Sequence, residues 1–143
     1  MNQFVNARIY LDSNVIIYAI EGLESYKPLL IQLFRDIDSG KTRAITSELT
    51  LCECLVKPYR ENRSDIVDAY SNFLSMSDSF HIREISRDIL IDAAKIRAQD
   101  STMKLPDAMH LATAISEKCS FFITNDKGIR SSHVQVVYLD SLL

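Results

Sequence analysis

Apolar side chains occur along the chain in short runs of strand-like composition, separated by longer segments in which they recur every three or four positions. The short runs contain many β-branched and aromatic residues, which predicts buried or half-buried strands. The run "FFIT" at 121–124 is typical of a strand covered on both faces. The five predicted strands are residues 8–12, 43–46, 80–85, 121–124 and 134–139.

The longer segments have the spacing of amphipathic helices. Ser13 or Asn14 is the predicted N-cap of the first helix, and Gly22 is expected to end it. Pro106 lies where proline is tolerated, in the first turn of the last helix. The predicted helices are residues 14–21, 26–39, 47–56, 64–76, 86–98 and 106–118.

The third of these helices carries a candidate functional residue, Glu53, so the orientation of this helix matters. Ser47 is its predicted N-cap, and Pro58 is expected to end it. Its predicted buried face consists of Leu49, Cys52, Leu55 and Val56.

Alternation of strands and helices predicts an α/β fold of three layers, with a mostly parallel central sheet of about five strands flanked by helices. The length of 143 residues suits a single domain, 1–143, and only three glycines and three prolines leave no segment that resembles a linker. In such sheets ligands bind at the carboxyl ends of the strands, near the point where the strand order reverses. That edge is therefore where functional residues are expected.

The apolar runs are far shorter than the roughly 20 residues that cross a bilayer, and no leader-like segment is present, so a cytoplasmic protein without a membrane partner is expected. The three cysteines, Cys52, Cys54 and Cys119, are an odd number in apolar surroundings and are predicted to be reduced core thiols. A metal site at the C-x-C pair is the weaker alternative, because no second pair of Cys or His follows at zinc-site spacing.

Four carboxylates fall at strand ends or in the helices that follow them. Asp12 and Asp126 each end an apolar strand, Asp107 lies in the first turn of the last helix, and Glu53 borders the apolar stripe of the third helix. Three of them have a simpler interpretation: Asp12 and Asp126 could cap a turn or helix, and Asp107 could be stabilised by the helix dipole. Glu53 has no such interpretation, because a carboxylate beside a buried face needs a partner that balances its charge.

Gathered at one sheet edge, these four anions would repel one another, and burial without neutralisation would be costly. A divalent cation removes that conflict. Oxygen ligands favour Mg²⁺ or Mn²⁺, and the lack of His or Cys at comparable positions argues against zinc. His110 lies on the same helical face as Asp107, and packing or a hydrogen bond is favoured over direct ligation.

The segments "YLDSNVIIY", "TSELTLCECL", "LPDAMHLATA" and "FITND" resemble the four motif regions of PIN domains, in particular the VapC-type ribonuclease toxins of toxin–antitoxin pairs. The resemblance implies a metal-dependent endoribonuclease that is inhibited by a cognate antitoxin and is commonly a homodimer. It also implies that four acidic residues act in catalysis and bind Mg²⁺ or Mn²⁺, supported by neighbouring polar side chains. The implied acidic ligands are Asp12, Glu53, Asp107 and Asp126, and the supporting residues are Ser13, Asn14, Thr124 and Asn125.

The net charge of −3 argues at first against a nucleic-acid partner. Without the four site carboxylates, however, 16 basic residues face 15 acidic ones, and bound cations would neutralise the site. An RNA substrate is therefore compatible with the charge. The candidate phosphate contacts are Lys57, Arg60, Arg63, Lys104, Lys127 and Arg130, although a solvated surface residue is the favoured interpretation of any one of them.

Three other functions are weighed against the toxin. A phosphate-accepting receiver domain shares the fold type, but no adjacent acidic pair precedes Asp12. A housekeeping RNA-processing nuclease would use the same site, and a non-catalytic binding or regulatory module is disfavoured because all four acidic positions are filled. An antitoxin tail is expected to use apolar positions on the early helices, if these are not simply core: Tyr18, Leu23, Leu30 and Phe34.

Overall fold

The computed structural model describes residues 2–143. The five strands are β1 (Arg8–Leu11), β2 (Arg43–Ser47), β3 (Phe80–Arg83), β4 (Phe121–Thr124) and β5 (Gln135–Tyr138). The helices are α1 (Ser13–Glu21), α2 (Lys27–Asp38), α3 (Glu48–Arg60), α4 (Ser64–Phe73), α5 (Arg87–Gln99) and α6 (Leu105–Ser116). Short 3₁₀ segments occur at Asn2–Phe4, Glu24–Tyr26 and Leu139–Leu142.

All strands are parallel and form one sheet in the order β3-β2-β1-β4-β5. Ile9 of β1 pairs with Ala44 of β2 on one side and with Phe121 of β4 on the other. The strand order reverses between β1 and β4, so the carboxyl ends of these two central strands flank the position where such folds bind ligands. The predicted parallel α/β fold is confirmed.

The sheet is covered on both faces because successive strand residues point to opposite sides. Ile9, Leu11 and Ile123 belong to the core that packs against α1–α4, whereas Tyr10 and Phe122 belong to the core under α5 and α6. The result is the predicted arrangement of three layers.

Several helix boundaries differ from the prediction: α4, for example, ends at Phe73 and not at residue 76. Asp12, and not Ser13 or Asn14, is the N-cap of α1, since its carboxylate accepts the Ser13 N–H. Pro58 does not end α3, which continues to Arg60. A proline in the last turn removes only one N–H bond, and its ring is buried in the core.

The predicted face of α3 was only partly right, since Leu55 packs against the core. The buried positions are Thr50, Cys54 and Pro58, whereas Cys52 and Val56 are exposed. Thr50 is buried because its hydroxyl bonds the Thr46 hydroxyl of β2 at 2.7 Å, a contact that hydrophobic spacing does not reveal.

The prediction of three core thiols holds for Cys54 and Cys119 but is wrong for Cys52, which is exposed. Burial raises the pKa of both buried thiols to about 12. Because the thiolate is the nucleophile, we expect a thiol reagent at neutral pH to label one cysteine of the folded protein quickly and all three after denaturation. Peptide mapping should identify Cys52, and Cys52→Ser should remove the fast phase. Rapid modification of Cys54 or Cys119 would contradict this packing.

Within residues 2–143, no helix combines the length and the apolar character that a membrane crossing requires.

Candidate functional site

Asp12 lies at the carboxyl end of β1 and is buried, with only 3% of its surface exposed. Its Oδ1 accepts the Ser13 N–H at 2.8 Å, and its Oδ2 accepts hydrogen bonds from Asn14 Nδ2 at 3.1 Å and Thr124 Oγ1 at 2.7 Å. A carboxylate has about four acceptor positions, so one direction at Oδ1 stays available to a ligand. Asp12 is therefore both a helix cap and a rigidly held carboxylate.

Polar side chains join the ends of β1 and β4. The Thr124 hydroxyl donates to Asp12 and accepts the Asp126 N–H at 2.9 Å. Asn14 Oδ1 accepts the Asn125 N–H at 3.1 Å. Three of the four predicted supporting residues thus orient the two strand-end aspartates, whereas Ser13 contributes its backbone N–H.

Glu53 reaches the site from α3 and binds a histidine of α6. His110 Nε2 lies 2.5 Å from Glu53 Oε1, and His110 Nδ1 lies 2.6 Å from the hydroxyl of Tyr10. A carboxylate oxygen accepts hydrogen bonds, so the bond to Glu53 places a proton on Nε2, and Nδ1 accepts from Tyr10 whenever the ring is neutral. Burial raises the pKa of Tyr10, so the hydroxyl keeps the proton that it donates.

The hydrogen bond predicted for His110 is therefore present, and its partner is Glu53. His110 is fully buried, and its Nε2 also lies 3.8 Å from Asp12 Oδ1. The role of Tyr10 was not predicted, because in the sequence it is an ordinary aromatic residue of an apolar strand. Its partner is 100 positions away, and no local signal connects the two.

Asp107 occupies the first turn of α6, half-buried among the other carboxylates. Burial raises the pKa of its carboxyl to about 6, and the negative charges of Asp126, Asp12 and Glu53 act in the same direction, opposed by His110. Asp126 follows β4, and its Oδ1 accepts the Gly128 N–H at 2.8 Å. The fold thus brings all four predicted acidic residues to one electrostatic environment at the carboxyl edge of the sheet.

The donor chemistry of this cluster suits a hydrated divalent cation. Among residues 2–143, no three Asp, Glu, His or Cys side chains are arranged so that they could hold a bare ion. Mg²⁺ keeps several waters and commonly takes only one or two carboxylates directly, so a set of this kind does not need three converging ligands. A bound cation would remove the repulsion between Asp107 and the neighbouring carboxylates.

Replacement of Asp107 by asparagine is expected to change how stability depends on pH in a metal-free buffer. Between about pH 4 and pH 6 the folded protein retains a proton that the unfolded chain has released, so the wild type loses stability as pH rises through this window. Asp107→Asn lacks this loss. Across the window its free energy of unfolding should therefore rise relative to that of the wild type by about 1–2 kcal/mol, which is less than the full pKa difference implies because solvent screens part of the effect. Urea unfolding of both proteins in EDTA on either side of the window measures the difference. Parallel pH profiles would refute this assignment.

The predicted phosphate contacts differ in their present partners. Three of them are in exposed ion pairs: Lys57 with Glu21, Lys127 with Asp140, and Arg130 with Asp100. Arg63 pairs with Asp65. Arg60 and Lys104 are exposed and form no ion pair with the part of the chain that the structure describes.

Fold and site together define a doubly wound, all-parallel α/β protein with an acidic cluster at the carboxyl edge of its sheet. Residues 9–132 match the sequence model of the PIN domain. The match spans most of the chain, and the protein belongs to the PIN domain family.

Solved structures with the same fold include toxin–antitoxin proteins. A toxin–antitoxin complex from Klebsiella pneumoniae has 24% identity and a TM-score of 0.68, with 92% of this chain and 97% of that chain covered. VapBC2 from Rickettsia felis, bound to a fragment of its promoter DNA, has 16% identity and a TM-score of 0.70, with 92% and 98% covered. The sarcin–ricin-loop-cleaving toxin VapC20 from Mycobacterium tuberculosis has 14% identity and a TM-score of 0.64, with 80% and 86% covered. No protein with a curated description matches this chain.

Proposed function

We propose that this protein is a metal-dependent endoribonuclease that hydrolyses phosphodiester bonds in RNA. The observation that carries the proposal is the environment of Asp107, where burial and three further carboxylates raise the pKa of one acidic group at the sheet's carboxyl edge. Such a cluster is costly without a cation and is the donor set that Mg²⁺ or Mn²⁺ prefers. Membership of the PIN family supports a nuclease.

In this proposal Asp12, Glu53, Asp107 and Asp126 are the catalytic and metal-binding residues. A bound divalent ion would supply an activated water and charge stabilisation at the phosphoryl group. Thr124 and Asn14 hold the Asp12 carboxylate in one orientation, and His110 holds Oε1 of Glu53. These bonds preorganise the acidic residues before substrate binds, which lowers the cost of assembling the site.

The RNA backbone is proposed to contact exposed cations. Arg60 and Lys104 are the best candidates, since they have no ion-pair partner within residues 2–143. Lys57, Lys127 and Arg130 are in exposed pairs of small net stability, and phosphate oxygens can replace their present carboxylate partners at little cost. Single-stranded or looped RNA is the expected substrate, because its bases are unstacked and accessible to a protein.

The test is cleavage of structured RNAs by the purified protein with Mg²⁺, with Mn²⁺ and with EDTA. Cleavage in the presence of either metal and its loss in EDTA are expected, with recovery on adding excess Mg²⁺. Cleavage that persists in EDTA, or none with either metal, would overturn the proposal.

We further propose that the protein is the toxin of a toxin–antitoxin pair and forms a homodimer. Structural neighbours from two of the organisms above were solved as toxin–antitoxin complexes, which supports this role over housekeeping RNA processing. An apolar cleft of about 230 Å³ between α1, α2 and α4 could receive an antitoxin segment. Of the predicted docking positions, Leu30 is buried, Leu23 is exposed, and Tyr18 and Phe34 are partly exposed at this cleft.

Expression without its neighbouring gene should arrest growth, and expression of Asp12→Ala should not. Equal tolerance of both proteins would favour the housekeeping nuclease, and binding of RNA without cleavage would favour the non-catalytic module.

A further inference from the structure

A second hydrogen-bonded cluster connects the C-terminal 3₁₀ turn to the segment that carries Asp126. The Asp140 N–H donates to Asn125 Oδ1 at 3.1 Å, and Asn125 Nδ2 donates to Asp140 Oδ1 at 3.2 Å. Asn125 Nδ2 also donates to the Tyr26 hydroxyl at 2.7 Å, and that hydroxyl donates to Asp140 Oδ1. We call Tyr26, Asn125 and Asp140 the latch.

The latch is directly connected to the acidic site. The Asn125 N–H donates to Asn14 Oδ1 at 3.1 Å, and Asn14 Nδ2 donates to Asp12 Oδ2 at 3.1 Å. Asn125 is also the residue immediately before Asp126. The Asn125 backbone is therefore linked to both strand-end aspartates, to Asp12 through Asn14 and to Asp126 through the chain.

Two members of the latch are anchored in packed parts of the fold. Tyr26 is only 8% exposed, and its ring stacks on Tyr18 of α1 with a centroid distance of 5.1 Å. Asp140 follows Leu139, which is fully buried. The segment after β4 is thus held between α1, the start of α2 and the end of β5.

The same carboxylate also restrains a cation of this segment. Lys127 Nζ lies 3.5 Å from Asp140 Oδ2 and 4.0 Å from the centroid of the Tyr138 ring. The Asp140 side chain thus contacts Tyr26, Asn125 and Lys127 together.

We propose that Asp140 is a positioning residue that holds the segment Asn125–Asp126 in the geometry the acidic site requires. The inference rests on the proposed ribonuclease function for its effect on catalysis. Asp140 lies beyond residues 9–132, the range matched by the PIN domain model, so this role is a property of this chain's own C-terminal turn. Loss of the side chain removes an acceptor from Tyr26 and from Asn125, and the segment is released from its anchor.

Three variants separate positioning from general stability. Asp140→Ala removes the acceptor, whereas Asp140→Asn keeps an oxygen that accepts from Tyr26 and Asn125. Asp68→Ala is the matched control, because Asp68 is an exposed aspartate of α4 whose loss changes the net charge equally. Each variant is compared with the wild type in Mg²⁺-dependent RNA cleavage, in thermal unfolding and in amide hydrogen exchange measured by NMR.

For Asp140→Ala we expect kcat to fall about fivefold to tenfold, which corresponds to the loss of one or two hydrogen bonds, whereas KM for RNA should not rise, because Lys127 loses only its carboxylate partner. The Mg²⁺ concentration for half-maximal rate should rise, and the Asn125 and Asp126 amides should exchange at least about fivefold faster through local opening. Asp140→Asn should restore most of the rate and protection, and Asp68→Ala should match the wild type.

Unchanged exchange at the two amides would overturn the proposal, as would faster exchange without any loss of cleavage. A loss of activity that simply follows the melting temperature, or that Asp140→Asn does not restore, would overturn it as well. If the wild-type protein cleaves no RNA, the proposed function fails by itself. The exchange experiment then still decides whether Asp140 holds the segment.

Discussion

Asp12→Asn is expected to lower metal-dependent RNA cleavage at least about a hundredfold, since loss of a residue that merely orients a metal ligand already costs tenfold to a hundredfold. Asp12 is the most enclosed of the four carboxylates, and three hydrogen bonds fix its orientation. An amide has the same shape but no negative charge, and it is a poor ligand for Mg²⁺ beside three other carboxylates.

The protein should remain folded, because asparagine is as good an N-cap as aspartate for α1. Initial rates of cleavage at saturating Mg²⁺, for the variant and for an Asp68→Asn control, measure the effect. A melting temperature close to that of the wild type would exclude unfolding as the cause. Activity within a few-fold of the wild type would mean that Asp12 serves only as a helix cap.

His110→Leu is expected to destabilise the protein by about 2–4 kcal/mol, because it leaves the buried Tyr10 hydroxyl and the partly buried Glu53 carboxylate without their partner. The Tyr10 hydroxyl would lose the acceptor at 2.6 Å, and Glu53 would lose the donor at 2.5 Å. Tyr10→Phe should cost less, about 1–2 kcal/mol, since it leaves only Nδ1 unpaired. His110→Leu should also lower cleavage, because Glu53 is then no longer oriented.

The double variant Tyr10→Phe/His110→Leu tests whether the pair acts as one unit. Its cost should be smaller than the sum of the two single costs, because no hydroxyl is then left unpaired in the core. Urea unfolding of the four proteins at one pH provides the free energies. Strict additivity would show that Tyr10 and His110 contribute independently, and the proposed chain from Tyr10 to Glu53 would be wrong.

Much of the fold could be predicted from the sequence because strands and helices depend on spacing between near neighbours. The strand "FFIT" and the helix beginning at Pro106 needed only local information. The face of α3 could be predicted only in part, since Leu49, Cys52, Leu55 and Val56 form a plausible apolar stripe. The buried face instead contains Thr50, whose hydroxyl finds Thr46 only in the folded sheet.

The candidate site could likewise be predicted from the sequence only in part. Strand-end positions and helix first turns already identified Asp12, Asp107 and Asp126, and the absence of a simpler interpretation identified Glu53. The partners of these residues were not visible: Tyr10 and His110 are 100 positions apart, and Asn125 and Asp140 meet only where the C-terminal turn returns to the site.

By itself the sequence determined which segments become strands and helices and which carboxylates reach the ends of those elements, because periodicity and strand ends are local properties. The tertiary structure alone decided how those carboxylates are held. Hydrogen bonds such as Thr124 to Asp12 and His110 to Glu53 depend on distances between distant parts of the chain, and only the packing of helices on the sheet sets those distances.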